Sequence, residues 1–284
     1  MSNLSLIKEL RDKTGAGFLD CKNALSENDN NIEQSIDSLR KKGLAKATKK
    51  SSREANEGAV GFYNNENISL ILKINSETDF SAKSDTFLDF LDNIGKIALS
   101  TNNSNLKLND FLKVEDNGKS VSDLLTEMIA KIGENLIIND LNVFDNKEAK
   151  VNYYIHNPYR KNIGKIVSAV FYSSEKENDE VKNFSKNLCM HIAACKPEAM
   201  DVDNLPSEII ENEKRIQEEM IKDSGKPSNV MEKILAGKMN KFYSEVTLLN
   251  QNFVIDTDKT VKEAISDFNS SNSLILKNYI LISL

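Results

Sequence analysis

Apolar residues at helical spacing predict three short helices within residues 1–54. Their apolar faces are Leu6, Ile7 and Leu10, then Phe18, Leu19, Ala24 and Leu25, and then Ile32, Ile36 and Leu39. Residues 14–17 separate the first helix from the second, Asn30 or Asn31 can cap the third, and Gly43 is predicted to end it. We therefore predict a small helical module, followed by a linker.

Beyond residue 55 the order strand, turn, strand, polar loop, helix is predicted twice. The strands are residues 59–63 and 68–74 around a turn at 64–67 in the first copy, and residues 151–155 and 166–172 in the second. The helices carry Phe87, Phe90, Leu91, Ile94 and Ala98 in the first copy, and Val181, Phe184, Leu188, Ile192 and Cys195 in the second. We predict an α+β multi-domain fold with two related core subdomains, residues 55–145 and residues 146–200 with 243–284.

Residues 201–242 are predicted to form a helical hairpin inserted into the second subdomain. Its arms carry Ile209, Ile216 and Met220, and Val230, Ile234 and Phe242, on either side of a turn, SGKP, at residues 224–227. The apolar stripe is narrow, and the sequence leaves open whether it packs on its own chain or on a second copy in a homodimer. Residues 245–249 and 252–255 are then predicted as a strand pair, 260–268 as a helix and 274–284 as a strand.

Composition predicts a folded chain of more than one domain. Of its 284 residues 39% are hydrophobic, which is enough for two or more cores. No stretch reaches about 18 uninterrupted apolar residues and no secretory signal pattern is present, so we expect a cytoplasmic protein without membrane contact. Cys21, Cys189 and Cys195 form no CxxC pair and are expected to be reduced thiols.

The charge of the chain argues against nucleic acid as a direct partner. Its formal net charge is −6 and its pI is near 5.3, whereas phosphate binding calls for a basic field. Seven basic residues lie from Arg40 to Arg53 with no acid among them before Glu54, and we interpret this run as a solvated linker or helix end. A protein partner is favoured.

One polar loop carries an aromatic residue without an evident place in a core. The apolar run ISLILKIN at residues 68–75 leads into SETDFSAKSD, where Phe80 stands beside Asp79. The corresponding loop of the second copy reads SSEKEN, residues 173–178. An exposed phenylalanine is most easily explained as a plug for a partner protein, and the alternative is that Phe80 folds back into its own core. The asymmetry favours a functional first loop.

Motifs of catalysis and cofactor binding are absent from the sequence. There is no GxxxxGK[ST] loop, and residues 15–17 (GAG) lack the third glycine of a dinucleotide fingerprint. His156 and His191 belong to no HExxH or zinc spacing, and Cys21 has no histidine near it in the sequence. We therefore expect neither an enzyme nor a bound cofactor or metal ion.

Two long motifs resemble the signatures of bacterial translation elongation factor Ts. The first is LIKELRDKTGAGFLDCKNAL at residues 6–25, and the second is ETDFSAK at residues 77–83. Shorter similarities are KIGEN (131–135), HIAA (191–194), KPE (196–198), SGKP (224–227) and KF (241–242). The resemblance covers nearly the whole chain, and the compact turns of the helical module also resemble those of ubiquitin-associated domains.

The resemblance implies a guanine nucleotide exchange factor that promotes GDP release from elongation factor Tu during translation elongation. Thr78, Asp79 and Phe80 would displace the nucleotide: the Phe enters an apolar slot beside the nucleotide site, and the Asp disturbs the network that holds magnesium. Arg11, Phe18, Leu19 and Lys22 would contact the nucleotide-binding domain, Ile132, Gly133 and Val246 would contact the partner elsewhere, and His156 would contact its third domain.

Two other classes of function stay open on the residues alone. One is a non-catalytic scaffold or adaptor that docks through the helical module and self-associates through the hairpin. The other is a hydrolase with Asp79 as its base, which no partner histidine, nucleophile or metal set in the sequence supports. Phe18 and Leu19 cannot both easily face inward on one short helix, so we expect one of them to be an exposed contact residue.

Overall fold

A computed structural model describes residues 3–176, 178–222 and 227–284 of the chain. The chain forms two compact units. The first unit holds the chain up to Asn146, with Asn157–Ile166 and Ile282–Leu284, and the second holds Lys147–His156 and Val167–Leu281. Helices and strands occur in both units, which confirms the predicted α+β class.

The first unit begins with three helices, as predicted: α1 (Asn3–Thr14), α2 (Phe18–Glu27) and α3 (Ile32–Lys50). Asn31 caps α3, because its side-chain Oδ1 accepts a hydrogen bond from Gln34 N at 3.0 Å. The helices share an apolar core of Ile7, Leu10, Cys21, Ala24 and Leu25. Burial of these faces stabilises helices that would be marginal on their own.

The rest of the first unit is built on an antiparallel sheet. In chain order its elements are β1 (Glu57–Asn64), β2 (Ile68–Ser76), α4 (Asp79–Ala82), α5 (Asp85–Ser100), α6 (Leu108–Phe111), β3 (Glu115–Asp116), β4 (Lys119–Ser120), α7 (Val121–Ile132) and β5 (Leu136–Asp145). β2 pairs with β1 and with β5, and β3 pairs with β4. The structure confirms the predicted strands 59–63 and 68–74 and the helix after them, and it adds α7 and β5, which were not predicted from the sequence.

The predicted end of the third helix at Gly43 is wrong. α3 continues through Gly43 to Lys50, so most of the basic run is helical. A Cβ atom on Gly43 would lie 3.2 Å from the Cβ of Ala130 on α7, a tight contact. Gly43 therefore lets α3 and α7 approach each other closely, and it does not end the helix.

Helix α5 packs its apolar face on the sheet of the first unit. Phe87, Leu91 and Ile94 are fully buried there. The Tyr63 hydroxyl donates a hydrogen bond to the Leu91 carbonyl oxygen at 3.1 Å, so its one polar atom is satisfied inside the core. The strands that lead into the loop with Phe80 are thus fixed by a packed helix immediately after that loop.

The second unit contains the second copy of the strand, strand, helix order. Its elements, in chain order, are β6 (Lys150–Arg160), β7 (Ile163–Ser173), α8 (Asp179–Cys195), a 3-10 turn (Val202–Asn204), α9 (Ser207–Lys222), α10 (Ser228–Val246), a second 3-10 turn (Leu248–Asn250), β8 (Asn252–Phe253), β9 (Asp256–Thr260), α11 (Val261–Phe268) and β10 (Ile275–Ser283). β7 pairs with β6 and with β10. The hairpin tip of β6 and β7 belongs to the first unit, where β1 pairs with the start of β7.

One prediction in the second unit is wrong and one lies outside the described residues. Residues 245–249 form no strand, since α10 runs on to Val246 and the Thr247 Oγ1 donates back to the Tyr243 carbonyl oxygen at 2.8 Å. β8 pairs with β9 instead. Residues 224–226 of the predicted hairpin turn are outside the described residues. Helix α9 packs against α10, and no helix among the described residues is long and apolar enough to cross a membrane.

Candidate functional site

The loop after β2 contains a short helical turn, which we call the TDF turn (residues 77–84). Helix α4 occupies four of these residues, and the Thr78 side chain caps it by accepting a hydrogen bond from Ser81 N at 3.2 Å. Phe80 is 84% exposed at this turn. The alternative that Phe80 folds back into its own core is therefore wrong, and its ring is presented to solvent.

Asp79 lies beside Phe80 on the same turn and forms an ion pair with Lys83. The two charged atoms are 2.7 Å apart, at i, i+4 spacing. The hydrogen bond from Lys83 holds the pKa of the Asp79 carboxyl below its ordinary value. Asp79 is therefore an ionised, partly exposed carboxylate at neutral pH, which suits an electrostatic role and not that of a general base with a raised pKa.

The TDF turn is tied to the junction between α7 and β5. Thr78 donates two hydrogen bonds to the Glu134 carboxylate, from its Oγ1 at 2.7 Å and from its backbone N at 3.1 Å. The two predicted contact residues of this region precede Glu134: Gly133 ends α7 in a left-handed conformation, and the partly buried Ile132 packs on the core. The structure thus brings Thr78 close to Gly133, which was not predicted from the sequence.

The helical module exposes both of its predicted apolar contact residues. Phe18 is 47% exposed and Leu19 66% exposed in the first turn of α2. The opposite face of α2 is fully buried, and Arg11 and Lys22 lie on the surface of α1 and α2. The sequence predicts that one residue of this pair is exposed, whereas in the structure both are, because the buried face of α2 begins only at Cys21.

The two remaining predicted contact residues belong to the second unit. His156 is exposed near the middle of β6, and its Nδ1 lies 3.3 Å from the Tyr154 hydroxyl. Val246 is half-buried at the end of α10, where its carbonyl oxygen accepts a hydrogen bond from Glu198 N at 2.8 Å. Of the two, only the histidine presents an exposed side chain.

Two other titratable groups that the sequence analysis considered, His191 and Cys21, are fully buried. His191 is fully buried on α8, where its Nε2 lies 3.0 Å from Gln251 Oε1 and its Nδ1 accepts from Val254 N at 3.2 Å. Burial lowers the pKa of His191 and raises the pKa of the Cys21 thiol. Within residues 3–176, 178–222 and 227–284, no group of three or more His, Cys, Asp or Glu side chains could hold a metal ion.

Comparison with known proteins gives one consistent family. The model of the family described as Elongation factor TS matches residues 77–282. Elongation factor Ts of Syntrophotalea carbinolica is 40% identical over 93% of this chain and 86% of its own length. Elongation factor Ts of Allorhizobium ampelinum is 38% identical over 93% and 85% of the two chains, and that of Ehrlichia canis 39% identical over 93% and 91%. The chain belongs to the elongation factor Ts family.

Membership of the elongation factor Ts family confirms the resemblance that the two signatures indicated. It also confirms the predicted function, guanine nucleotide exchange on elongation factor Tu in protein biosynthesis. The family match begins at Glu77, the first residue of the TDF turn, and the relatives extend the similarity over most of the chain. Which residues of this elongation factor Ts chain carry out the exchange is a separate question, and the roles above stay predictions.

Proposed function

We propose that this chain releases GDP from elongation factor Tu by inserting Phe80 into an apolar slot beside the nucleotide site. The observation that carries the proposal is the 84% exposure of Phe80 on a capped turn between two elements of a packed core. A large exposed aromatic gains free energy when a partner buries it, and such residues often dominate an interface. Asp79 follows the ring into the site and disturbs the magnesium network with its negative charge.

The exposed residues of the helical module supply affinity for the nucleotide-binding domain of elongation factor Tu. Phe18 and Leu19 form the apolar part of this contact, and Arg11 and Lys22 form its charged rim. Ile132, Gly133 and Val246 add contacts elsewhere, and His156 contacts the third domain of the partner. These surfaces hold the factor on its partner, while the TDF turn acts on the nucleotide.

Physically, the exchange reaction is negative coupling between two ligands of one GTPase. The factor and GDP each weaken the binding of the other by the same factor, and typical coupling free energies are about 1–3 kcal/mol. Neither ligand is consumed, so the factor changes the rate of exchange and leaves its final equilibrium unchanged. Accordingly, the chain acts as an exchange factor and not as an enzyme that makes or breaks covalent bonds.

Several finer assignments belong to the same proposal. The protein acts in the cytoplasm, without direct contact with nucleic acid or membrane and without a cofactor. Residues 1–54 form a ubiquitin-associated-like module with its linker, residues 55–145 and residues 146–200 with 243–284 form two related core subdomains, and residues 201–242 form an inserted hairpin with a face for a second copy of the chain. The net charge of −6 supports the absence of direct contact with nucleic acid. The packing of α9 on α10 supports the inserted hairpin.

The test is the rate at which fluorescent GDP leaves elongation factor Tu. The wild-type chain at substoichiometric concentration should accelerate release, and Phe80→Ala should lose about 2 kcal/mol or more of this effect, roughly 30-fold in rate. Ile275→Ala is the matched control, because Ile275 is also an exposed large apolar residue, at 64%, and has no assigned contact. Equal acceleration by the wild type and Phe80→Ala would remove Phe80 from the mechanism.

A further inference from the structure

The Glu134 carboxylate binds the TDF turn, and none of the proposed contacts with elongation factor Tu involves Glu134. Glu134 lies 56 residues further along the chain, directly after Gly133. Its Oε1 accepts the Thr78 Oγ1 hydrogen at 2.7 Å, and its Oε2 accepts the Thr78 backbone N–H at 3.1 Å. Both donors of one residue therefore bind both oxygens of one carboxylate, which fixes the orientation of Thr78 as well as its position.

A second set of hydrogen bonds fixes the residue before Thr78. The Asn135 backbone N–H donates to Glu77 Oε1 at 2.6 Å, and Arg53 Nη1 lies 3.3 Å from Glu77 Oε2. The Asn135 side chain donates in turn to the Arg53 carbonyl oxygen at 2.7 Å. The clamp, which we define as Glu77, Thr78, Glu134 and Asn135, thus connects the start of the TDF turn to the start of β5.

The clamp matters because it fixes the first residues of the turn that carries Phe80, while Ser81 and Ala82 at the other end of the turn are buried. Helix α4 has four residues, and a helix of that length does not persist in water without external support. The Thr78 hydroxyl donates to Glu134 and at the same time accepts from Ser81 N, so one oxygen joins the clamp to the helical turn. Phe80 itself is 84% exposed, and its place in space therefore follows from the backbone of this turn.

We infer that Glu134 is a positioning residue for nucleotide displacement, which holds the TDF turn in the conformation that inserts Phe80. This inference rests on the proposed function of Phe80, and it names Glu134 as the residue that orders the turn carrying Phe80. A turn that is already ordered enters the partner without the entropic cost of ordering it there, which raises the rate and affinity of productive binding. Glu77 and Asn135 assist by fixing the chain immediately before Thr78.

Hydrogen exchange of the free protein tests the positioning step without the partner. The amides of Ser81, Ala82 and Lys83 are hydrogen-bonded within the TDF turn, so they should exchange slowly in the wild type. Glu134→Ala should speed their exchange at least tenfold while the melting temperature stays within a few degrees. Glu66→Ala is the matched control, because Glu66 is an exposed glutamate in the turn between β1 and β2, at the other end of that hairpin. Unchanged exchange of residues 77–83 in Glu134→Ala would overturn the inference.

GDP release from elongation factor Tu then tests the link to function. Glu134→Ala should lower the second-order rate constant of release about tenfold. Glu134→Gln keeps one acceptor oxygen for Thr78 and should lie between the wild type and Glu134→Ala, and it also serves as the readout should Glu134→Ala fold poorly. In an Asp79→Ala/Phe80→Ala background the same change should cost less than twofold, because there is no displacing group left to position.

The outcomes separate this inference from the proposed function. An equal loss from Glu134→Ala in both backgrounds would mean that Glu134 acts on general stability or through its own contact, and would overturn the positioning role. If Phe80→Ala releases GDP as fast as the wild type, the proposed function fails, and the positioning of displacement fails with it. In that case the hydrogen exchange of residues 77–83 still decides whether Glu134 orders the turn.

Discussion

The two strand, strand, helix copies differ most in the loop that leads from their second strand into the helix. In the first unit this loop is the TDF turn, which exposes the ring of Phe80. In the second unit, polar groups of the loop after β7 form hydrogen bonds with the rest of the unit. Glu175 N donates to Ser273 Oγ at 3.0 Å, and Asn178 Oδ1 caps α8 by accepting from Val181 N at 2.8 Å. The same order of elements thus supports an exposed aromatic ring in one copy and, in the other, a loop that is hydrogen-bonded to the protein at Glu175 and Asn178.

The cores beneath the two loops differ as well. The face of α5 is apolar where it packs on the sheet, whereas α8 buries a polar residue, His191, among its apolar neighbours. Gln251 and the backbone N–H of Val254 satisfy both ring nitrogens of His191. The second unit therefore buries a histidine on the helix that follows its loop, whereas the first unit exposes a phenylalanine in the loop before its helix.

The largest expected effect is the difference in free energy of unfolding between alanine variants of two phenylalanines, Phe87 and Phe80. Phe87 is fully buried in the first core, and Phe87→Ala should lower the free energy of unfolding by about 3–5 kcal/mol. Phe80→Ala should change it by less than about 0.5 kcal/mol, because the ring is exposed before and after unfolding. Chemical denaturation of the two variants measures both values. A large loss of stability in Phe80→Ala would show that the projecting loop is part of the core.

The next largest expected effect is a pH dependence of the free energy of unfolding, which comes from the buried His191 of the second core. Burial lowers the pKa of His191 below its ordinary 6.5, so the unfolded chain takes up a proton at this residue that the folded chain does not. The stabilisation is complete above pH 6.5 and is lost as the pH falls, by at most about 1.4 kcal/mol per pH unit.

His191→Gln should remove this part of the pH dependence. Denaturation of the wild type and of His191→Gln at several pH values between about 7 and 5 gives the two slopes, and other titrating groups are common to both proteins. The wild type should lose stability more steeply. Parallel slopes would show that His191 binds protons equally well in the folded and unfolded chains.

The smallest effect compares the helix caps that follow the two loops. Ser84 caps α5 by accepting from Phe87 N at 3.2 Å, and Asn178 caps α8. Ser84→Ala and Asn178→Ala should each lower the free energy of unfolding by about 1 kcal/mol. Only Ser84→Ala should also slow GDP release, since the Ser84 hydroxyl donates to the Ser81 carbonyl oxygen within the TDF turn at 2.8 Å. A matching slow release in Asn178→Ala would remove the functional difference between the loops.

Local patterns were enough to predict elements whose apolar spacing is strong. The first three helices, the hairpin of β1 and β2 and helix α5 follow from such spacing. Helix α7 also had a usable signal, since Ser120 and Asp123 form a capping box just before its apolar positions. The predictions at Gly43 and at residues 245–249 are wrong because tertiary contacts override local preference: Gly43 packs closely against Ala130, and α10 continues to Val246.

The candidate site was predictable only in part. The TDF motif and the exposed pair Phe18 and Leu19 could be found from the sequence, because the family resemblance and the helical spacing both point to them. The clamp could not be found in this way, since Glu134, directly before β5, meets Thr78 only when β5 is paired with β2. Contacts between residues far apart in the chain leave no local periodicity, so the structure was needed to see what orders the turn.

The most direct test of the central claim is whether Phe80 displaces GDP or merely adds affinity. We would measure the Kd of the chain for elongation factor Tu in its nucleotide-free and GDP-bound forms, for the wild type, Phe80→Ala and Arg11→Ala. We expect Phe80→Ala to reduce the ratio of the Kd for the GDP-bound form to the Kd for the nucleotide-free form at least tenfold. Arg11→Ala should weaken binding to both forms equally and leave this ratio unchanged. Equal weakening of both forms by Phe80→Ala would contradict this expectation, because Phe80 would then be an ordinary contact without coupling to the nucleotide.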